Sequence, residues 1–82
     1  MYEIKFRKKA LNFFNKLDKP IQEQIGNKIE KLKKDPFLGK PLVGNLSGLF
    51  SLRINKYRII YHPKKEELII LVLDIGHRKN IY

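Results

Sequence analysis

The sequence predicts one α+β domain spanning residues 1–82, with the order β-α-α-β-β-β and a small, mostly antiparallel sheet carrying a two-helix hairpin on one face. Two observations carry that reading. Apolar residues recur at helical spacing in two successive stripes before residue 36, and the segments after residue 48 alternate or run apolar at strand length. At 82 residues there is no length for a second core, and a domain this small buries only about 60–65% of its unfolded surface.

Each element has its own signal. Residues 2–6 (Tyr-Glu-Ile-Lys-Phe) alternate apolar and polar, as a strand with one buried face does. Between residues 7 and 17, Ala10, Phe13, Phe14 and Leu17 fall at i, i+3, i+4 and i+7, one stripe of an amphipathic helix. Asp18-Lys19-Pro20 breaks that helix and starts another, with Asp18 or Lys19 as the cap and Pro20 in the first turn. Ile21, Ile25, Ile29 and Leu32 form the second stripe, Lys33 and Lys34 fall in the last turn, where cations suit the helix dipole, and Asp35-Pro36 ends it. A turn this short makes the two helices a hairpin.

Pro36, Gly39, Pro41, Gly44 and Gly48 mark residues 36–48 as a loop. Residues 49–54 then place Phe50, Leu52 and Ile54 on one face and Ser51 and Arg53 on the other. Residues 57–62 alternate as well, with Tyr57, Ile59 and Tyr61 against Arg58, Ile60 and His62. Asn55-Lys56 suits a tight turn between them, although Lys56 tolerates a positive φ poorly. Residues 67–75 are apolar nearly throughout and read as a central strand covered on both faces, released by Gly76 into a short tail.

Eighteen Lys and Arg against eight Asp and Glu give a formal charge of +10. That field selects polyanionic partners: RNA, DNA, an acidic protein segment or, less aptly, a membrane surface. The alternative is that the lysines serve solubility alone. With no cysteine, disulfides, thiolate metal sites and thiol nucleophiles are excluded. No apolar run has the length of a signal peptide or a bilayer span, so the expectation is a soluble cytoplasmic domain.

If Asn55-Lys56 is the hairpin loop, Arg53 stands directly opposite Arg58 on the face turned away from the core. Like charges so placed repel, and a bound phosphate or carboxylate relieves the repulsion. The alternative is that both guanidiniums splay into screened solvent. His77, between Gly76 and Arg78, is a candidate acid or base if the tail lies over the open face, imidazole being the side chain suited to both roles. Tyr82 ends the chain and has a phenol to offer, while His62 beside Pro63 reads as structural. The acids are scattered without metal-ligand spacing, and no phosphate-cradling Gly-rich loop or Ser/His/Asp set is present, so no metal or cofactor is called for. Cations with a His or Tyr suit metal-independent RNA cleavage. The substrate brings its own nucleophile, the 2′-hydroxyl, and arginines act as fixed phosphate ligands that stabilise the phosphorane.

The stretch 48–61 (Gly-Leu-Phe-Ser-Leu-Arg-Ile-Asn-Lys-Tyr-Arg-Ile-Ile-Tyr), followed by Asp74-Ile75-Gly76-His77-Arg78-Lys79-Asn80-Ile81-Tyr82, resembles the RelE family of type II toxin–antitoxin toxins, within the RelE/ParE superfamily. The resemblance covers essentially the whole chain. It implies the RelE/ParE-like fold and an mRNA endonuclease that cuts codons in the ribosomal A site, leaving a 2′,3′-cyclic phosphate and a 5′-hydroxyl. It also implies a RelB-type antitoxin as partner, and operator DNA bound only through the toxin–antitoxin complex. By the same resemblance, Arg53 falls where a basic residue is expected, Arg58 matches the arginine on the scissile phosphate, and Arg78 matches an arginine after the sheet-end glycine. Tyr82 approximates a C-terminal tyrosine that orients the RNA, with Ser51, Lys56 and Lys79 placed to contact it. Ser51 departs from the family, which places there a lysine implicated in proton transfer; this leaves the base open among His77, Tyr82 and Lys56. Two further readings stand beside this one: a ParE-like gyrase inhibitor acting by binding, and an RNA-binding module without catalysis.

Overall fold

The computed structural model describes residues 1–77. Its elements are β1 (Glu3–Phe6), α1 (Lys8–Asn15), α2 (Lys19–Lys31), β2 (Lys40–Pro41), a 3-10 turn at Gly44–Leu46, β3 (Phe50–Ile54), β4 (Tyr57–Lys64) and β5 (Ile69–His77). The strands make one sheet in the order β1-β5-β4-β3-β2. β1 runs parallel to β5 and every other pair is antiparallel. The helix hairpin covers one face, so the α+β architecture is the one the periodicities predict.

The helical stripes point where their spacing puts them. Ala10, Ile25, Ile29 and Leu32 are buried against Leu52, Ile54, Ile59, Tyr61, Ile70, Val72 and Ile75 of the sheet. Each fully buried Leu, Ile or Val contributes about 1.5–3 kcal/mol, so this face holds the fold together. Asp18 is the extended N-cap of α2, with Pro20 in the first turn, where a missing N–H is harmless. The Gln22 side-chain amide donates to the Phe14 carbonyl at 2.9 Å and ties the two helices together. Lys33 and Lys34 do not sit in the last turn of α2: Leu32 is the C-cap, and the basic residues of that turn are Lys28 and Lys31. Lys33 pairs with Glu30 instead, at 3.1 Å.

Three sheet features differ from the sequence reading. The segment expected to be all loop contributes β2, which pairs Lys40 with Ser51 and Pro41 with Phe50. Two residues are too few for a periodic signal, and the Pro that reads as a breaker is tolerated because β2 is an edge. β4 extends through Pro63, which is possible because β3 reaches no further than Tyr61 and leaves β4 an edge on that side there. β5 is interior to the sheet, but the described residues cover its second face only in part: Ile70, Val72 and Ile75 are buried under the helices, while Ile69, Leu71 and Leu73 are half-buried. A bulge also interrupts the strand. Ile60 pairs with Asp74 but Tyr61 pairs with Val72, leaving Leu73 as an extra residue that shifts the phase of the strand.

The Asn55-Lys56 turn forms as expected. Only Asn55 takes a positive φ (57°), so Lys56 avoids the strain it tolerates poorly.

Candidate functional site

The face of the sheet turned away from the helices carries the candidate site. Register places Ile54, Tyr57 and His77 in one row across β3, β4 and β5, and Arg53, Arg58 and Gly76 in the next. Rows alternate between faces. Tyr57 belongs to the buried core, so the row of Arg53, Arg58 and Gly76 faces outward. The predicted opposition of Arg53 and Arg58 is therefore present. Directly opposed residues of an antiparallel pair have Cβ atoms about 4.5–5.5 Å apart. Gly76, on the other flank of Arg58, presents no side chain and is itself buried, and Arg58 is half-buried beside it.

A cleft of about 260 Å³ opens on this face, lined by Lys40, Pro41, Leu42, Ser51, Arg53 and Arg58. Three of the six are cations and none is a carboxylate. Two unit positive charges 4 Å apart repel by about 1 kcal/mol in water, a cost a fold can carry. An anion seated between them turns the same charges into attraction, and guanidiniums meet phosphate oxygens in a bidentate fork. Next along the same face, a slot of about 250 Å³ is lined by Leu42, Leu46, Leu49, Ile60 and Leu73 with Arg7, Lys9 and Asp74. The loop after β2 thus buries Ile60 on the outer side of the sheet, apart from the main core. Asp74 is held by Lys9 at 3.2 Å.

The cleft wall is fastened from beneath. Tyr61 is fully buried, its ring stacks on Phe50 at 5.7 Å between centroids, and its hydroxyl accepts the Gly39 N–H at 2.9 Å. Burial pushes the Tyr61 pKa above its usual value; the Gly39 bond pulls it back and the Asp35 charge adds to the rise. A Cβ at Gly39 would lie 2.6 Å from the Ser51 carbonyl oxygen and 2.9 Å from the Tyr61 hydroxyl, so only glycine lets the chain approach this closely.

The sequence-predicted residues divide cleanly. Arg53, Arg58 and Ser51 come together in the cleft. Lys56 is exposed in the hairpin turn beside it and does not line it. His77 is not brought to the arginines: it stands opposite Tyr57 on the helix-side face, with the two rings 4.9 Å apart. Arg78, Lys79 and Tyr82 lie outside the described residues. Sequence reasoning missed Lys40, because Gly39-Lys40-Pro41 has the composition of a loop and carries no strand signal. Among the described residues there is no group of three or more His, Asp and Glu able to hold a metal.

The family described as the ParE toxin of the parDE type II toxin–antitoxin system matches residues 4–82. The toxin RelG of Mycobacterium tuberculosis is 31% identical over 83 residues, covering 99% of this chain and 95% of its own. The mRNA interferase toxin RelE of Escherichia coli is 21% identical over 80 residues, covering 95% of this chain and 84% of its own. Among solved structures, a chain of a RelBE toxin–antitoxin complex from Mycobacterium tuberculosis superposes with a TM-score of 0.83 at 30% identity, covering 94% of this chain and 98% of that one.

Proposed function

The chain belongs to the RelE/ParE superfamily of type II toxins, and from that premise we propose that it is a metal-independent, ribosome-dependent mRNA endonuclease. The observation that carries the reading is Arg53 directly opposite Arg58 in an outward-facing cleft whose lining, among the described residues, holds three cations and no carboxylate. Such a cleft suits a reaction whose negative charge grows on a phosphoryl group.

The 2′-hydroxyl oxygen of the nucleotide on the 5′ side of the cut attacks its own 3′-phosphate, and the 5′-oxygen of the next nucleotide leaves. The products are a 2′,3′-cyclic phosphate and a 5′-hydroxyl. Arg53 and Arg58 bind the non-bridging oxygens, and their grip tightens as the phosphorane forms, which is what lowers the barrier. Arg78 adds a third guanidinium and Tyr82 orients the RNA, as the family resemblance implies. Ser51, Lys56 and Lys79 contact the strand. The ribosomal A site presents the codon, so the toxin need not bind free RNA tightly. A RelB-type antitoxin is the protein partner, a reading supported by the toxin–antitoxin complex among the solved relatives. Operator DNA is met only through that complex.

The match to the ParE family favours one second reading, a gyrase inhibitor that acts by binding. Primer extension on a translated mRNA, beside Arg58→Ala, separates the two. The endonuclease reading predicts ribosome-dependent cuts within codons that fall by about 10²–10³ in the variant, the usual loss for one oxyanion ligand. Intact mRNA with DNA breaks assigns the cleft to gyrase.

A further inference from the structure

Cleavage by 2′-hydroxyl attack leaves a problem the arginines do not solve. The departing 5′-oxygen is a poor leaving group unless it receives a proton as its bond to phosphorus breaks. Guanidinium groups keep their protons throughout the physiological range, so Arg53 and Arg58 hold the phosphate without donating one. His77 faces the other side of the sheet, with its ring against Tyr57. Lys9 is engaged with Asp74 at 3.2 Å, and Lys56 does not line the cleft.

Lys40 remains. It pairs directly with Ser51 across the β2–β3 ladder and lines the same cleft as Arg53 and Arg58. Ser51 and Arg53 are two residues apart on β3, so Lys40 stands one row along the outer face from the Arg53–Arg58 pair. Side chains two residues apart on one strand are about 7 Å apart at the backbone, a gap that a lysine stem and one phosphate group span. Its segment is also held more firmly than a two-residue edge strand requires. The preceding residue, Gly39, approaches the sheet closer than any Cβ permits and donates its N–H to the buried Tyr61 hydroxyl.

We infer that Lys40 is the general acid of the reaction, a role that rests on the endonuclease reading. As the 2′-oxygen forms its bond to phosphorus, it releases its proton to water. The phosphorus–5′-oxygen bond breaks with its electron pair on oxygen, and that oxygen takes a proton from the Lys40 ammonium. The neutral amine is reprotonated by solvent. The lysine reaches the cleft from the edge strand, while Ser51 occupies the β3 position across from it.

The test compares wild type with Lys40→Ala and Lys40→Arg on ribosomes programmed with one mRNA in two forms. One is all-oxygen; the other carries sulfur in place of the bridging 5′-oxygen at the mapped cut, a leaving group that needs no protonation. A general acid typically contributes 10²–10⁴-fold. Both variants should lose about that much on the oxygen substrate, because arginine supplies charge but no proton. Both should come within about tenfold of wild type on the sulfur substrate. Arg58→Ala, which loses a phosphate ligand, should stay impaired on both. An active Lys40→Arg, or a Lys40→Ala defect that sulfur does not repair, overturns the assignment and makes Lys40 a phosphate ligand or a bystander. If wild type leaves the all-oxygen mRNA intact, the endonuclease reading itself fails and the role of Lys40 falls with it.

Discussion

The Gly39 N–H donates to the Tyr61 hydroxyl at 2.9 Å, joining a loop glycine to a fully buried tyrosine 22 residues away. Through this bond the edge strand is hung on the core, and with it the wall of the cationic cleft. Phe37 and Tyr61 both pack on Phe50, with ring centroids 5.4 and 5.7 Å away. Core packing and the position of the cleft wall are therefore one structure.

Tyr61→Phe keeps the ring and deletes the acceptor, leaving the Gly39 N–H without its partner. Chemical denaturation at neutral pH should show a loss of about 1–3 kcal/mol. A change of a few tenths would mean that water replaces the hydroxyl freely.

Tyr61 also sets an alkaline limit. Its folded pKa is raised above 10.0, chiefly by burial, so the native state holds this proton more tightly than the unfolded chain. Stability from the group is complete below about pH 10 and is lost as pH rises from there through the folded pKa. The stability gap between wild type and Tyr61→Phe should accordingly narrow above pH 10, and a gap that widens would contradict the cause given.

Gly39→Ala places a methyl 2.6 Å from a backbone oxygen that cannot swing away. The edge strand must lift, at a cost of about 1–3 kcal/mol. Toxin activity should drop with it, since Lys40 moves too. Full activity in a stable Gly39→Ala protein would separate the latch from the site.

Leu68 is half exposed with φ of 56°, a conformation leucine adopts only under strain. Its carbonyl accepts the Glu3 N–H at 2.8 Å, a bond independent of the side chain. Leu68→Asn should stabilise the fold by about 1 kcal/mol, since asparagine visits this region readily. Unchanged or lower stability would show that the leucine is packed usefully.

Arg53 and Arg58 should trade stability against activity. Removing one of two directly opposed like charges by Arg53→Gln is expected to raise stability by about 0.2–1 kcal/mol while cutting cleavage by about 10²–10³. A loss of both would mean that Arg53 holds the hairpin together.

Much of this arrangement was legible in the residues. The hairpin register followed from strict alternation on both sides of a two-residue loop, where one slipped position would turn every side chain over. The face of His77 was not legible. Counting by twos from the buried Val72 carries Asp74 and Gly76 inward. The bulge at Leu73 reverses that, burying Ile75 beneath the helices, turning the exposed His77 to the helix side, and putting Asp74 and Gly76 on the other face. The uniform apolar run 68–73 offers no alternation in which such a shift would show. Lys40 escaped for another reason: the two paired residues, Lys40 and Pro41 after Gly39, carry the composition of a loop, and only tertiary pairing makes them a strand.

The central claim is that the cleft serves attack by the RNA's own 2′-hydroxyl. The most direct test is an mRNA carrying a single 2′-deoxynucleotide on the 5′ side of a mapped cut, translated with the toxin present. Cleavage should disappear at that position and continue at the others, whose upstream fragments end in 2′,3′-cyclic phosphate. Undiminished cutting at the deoxy position would contradict the account and demand a different nucleophile.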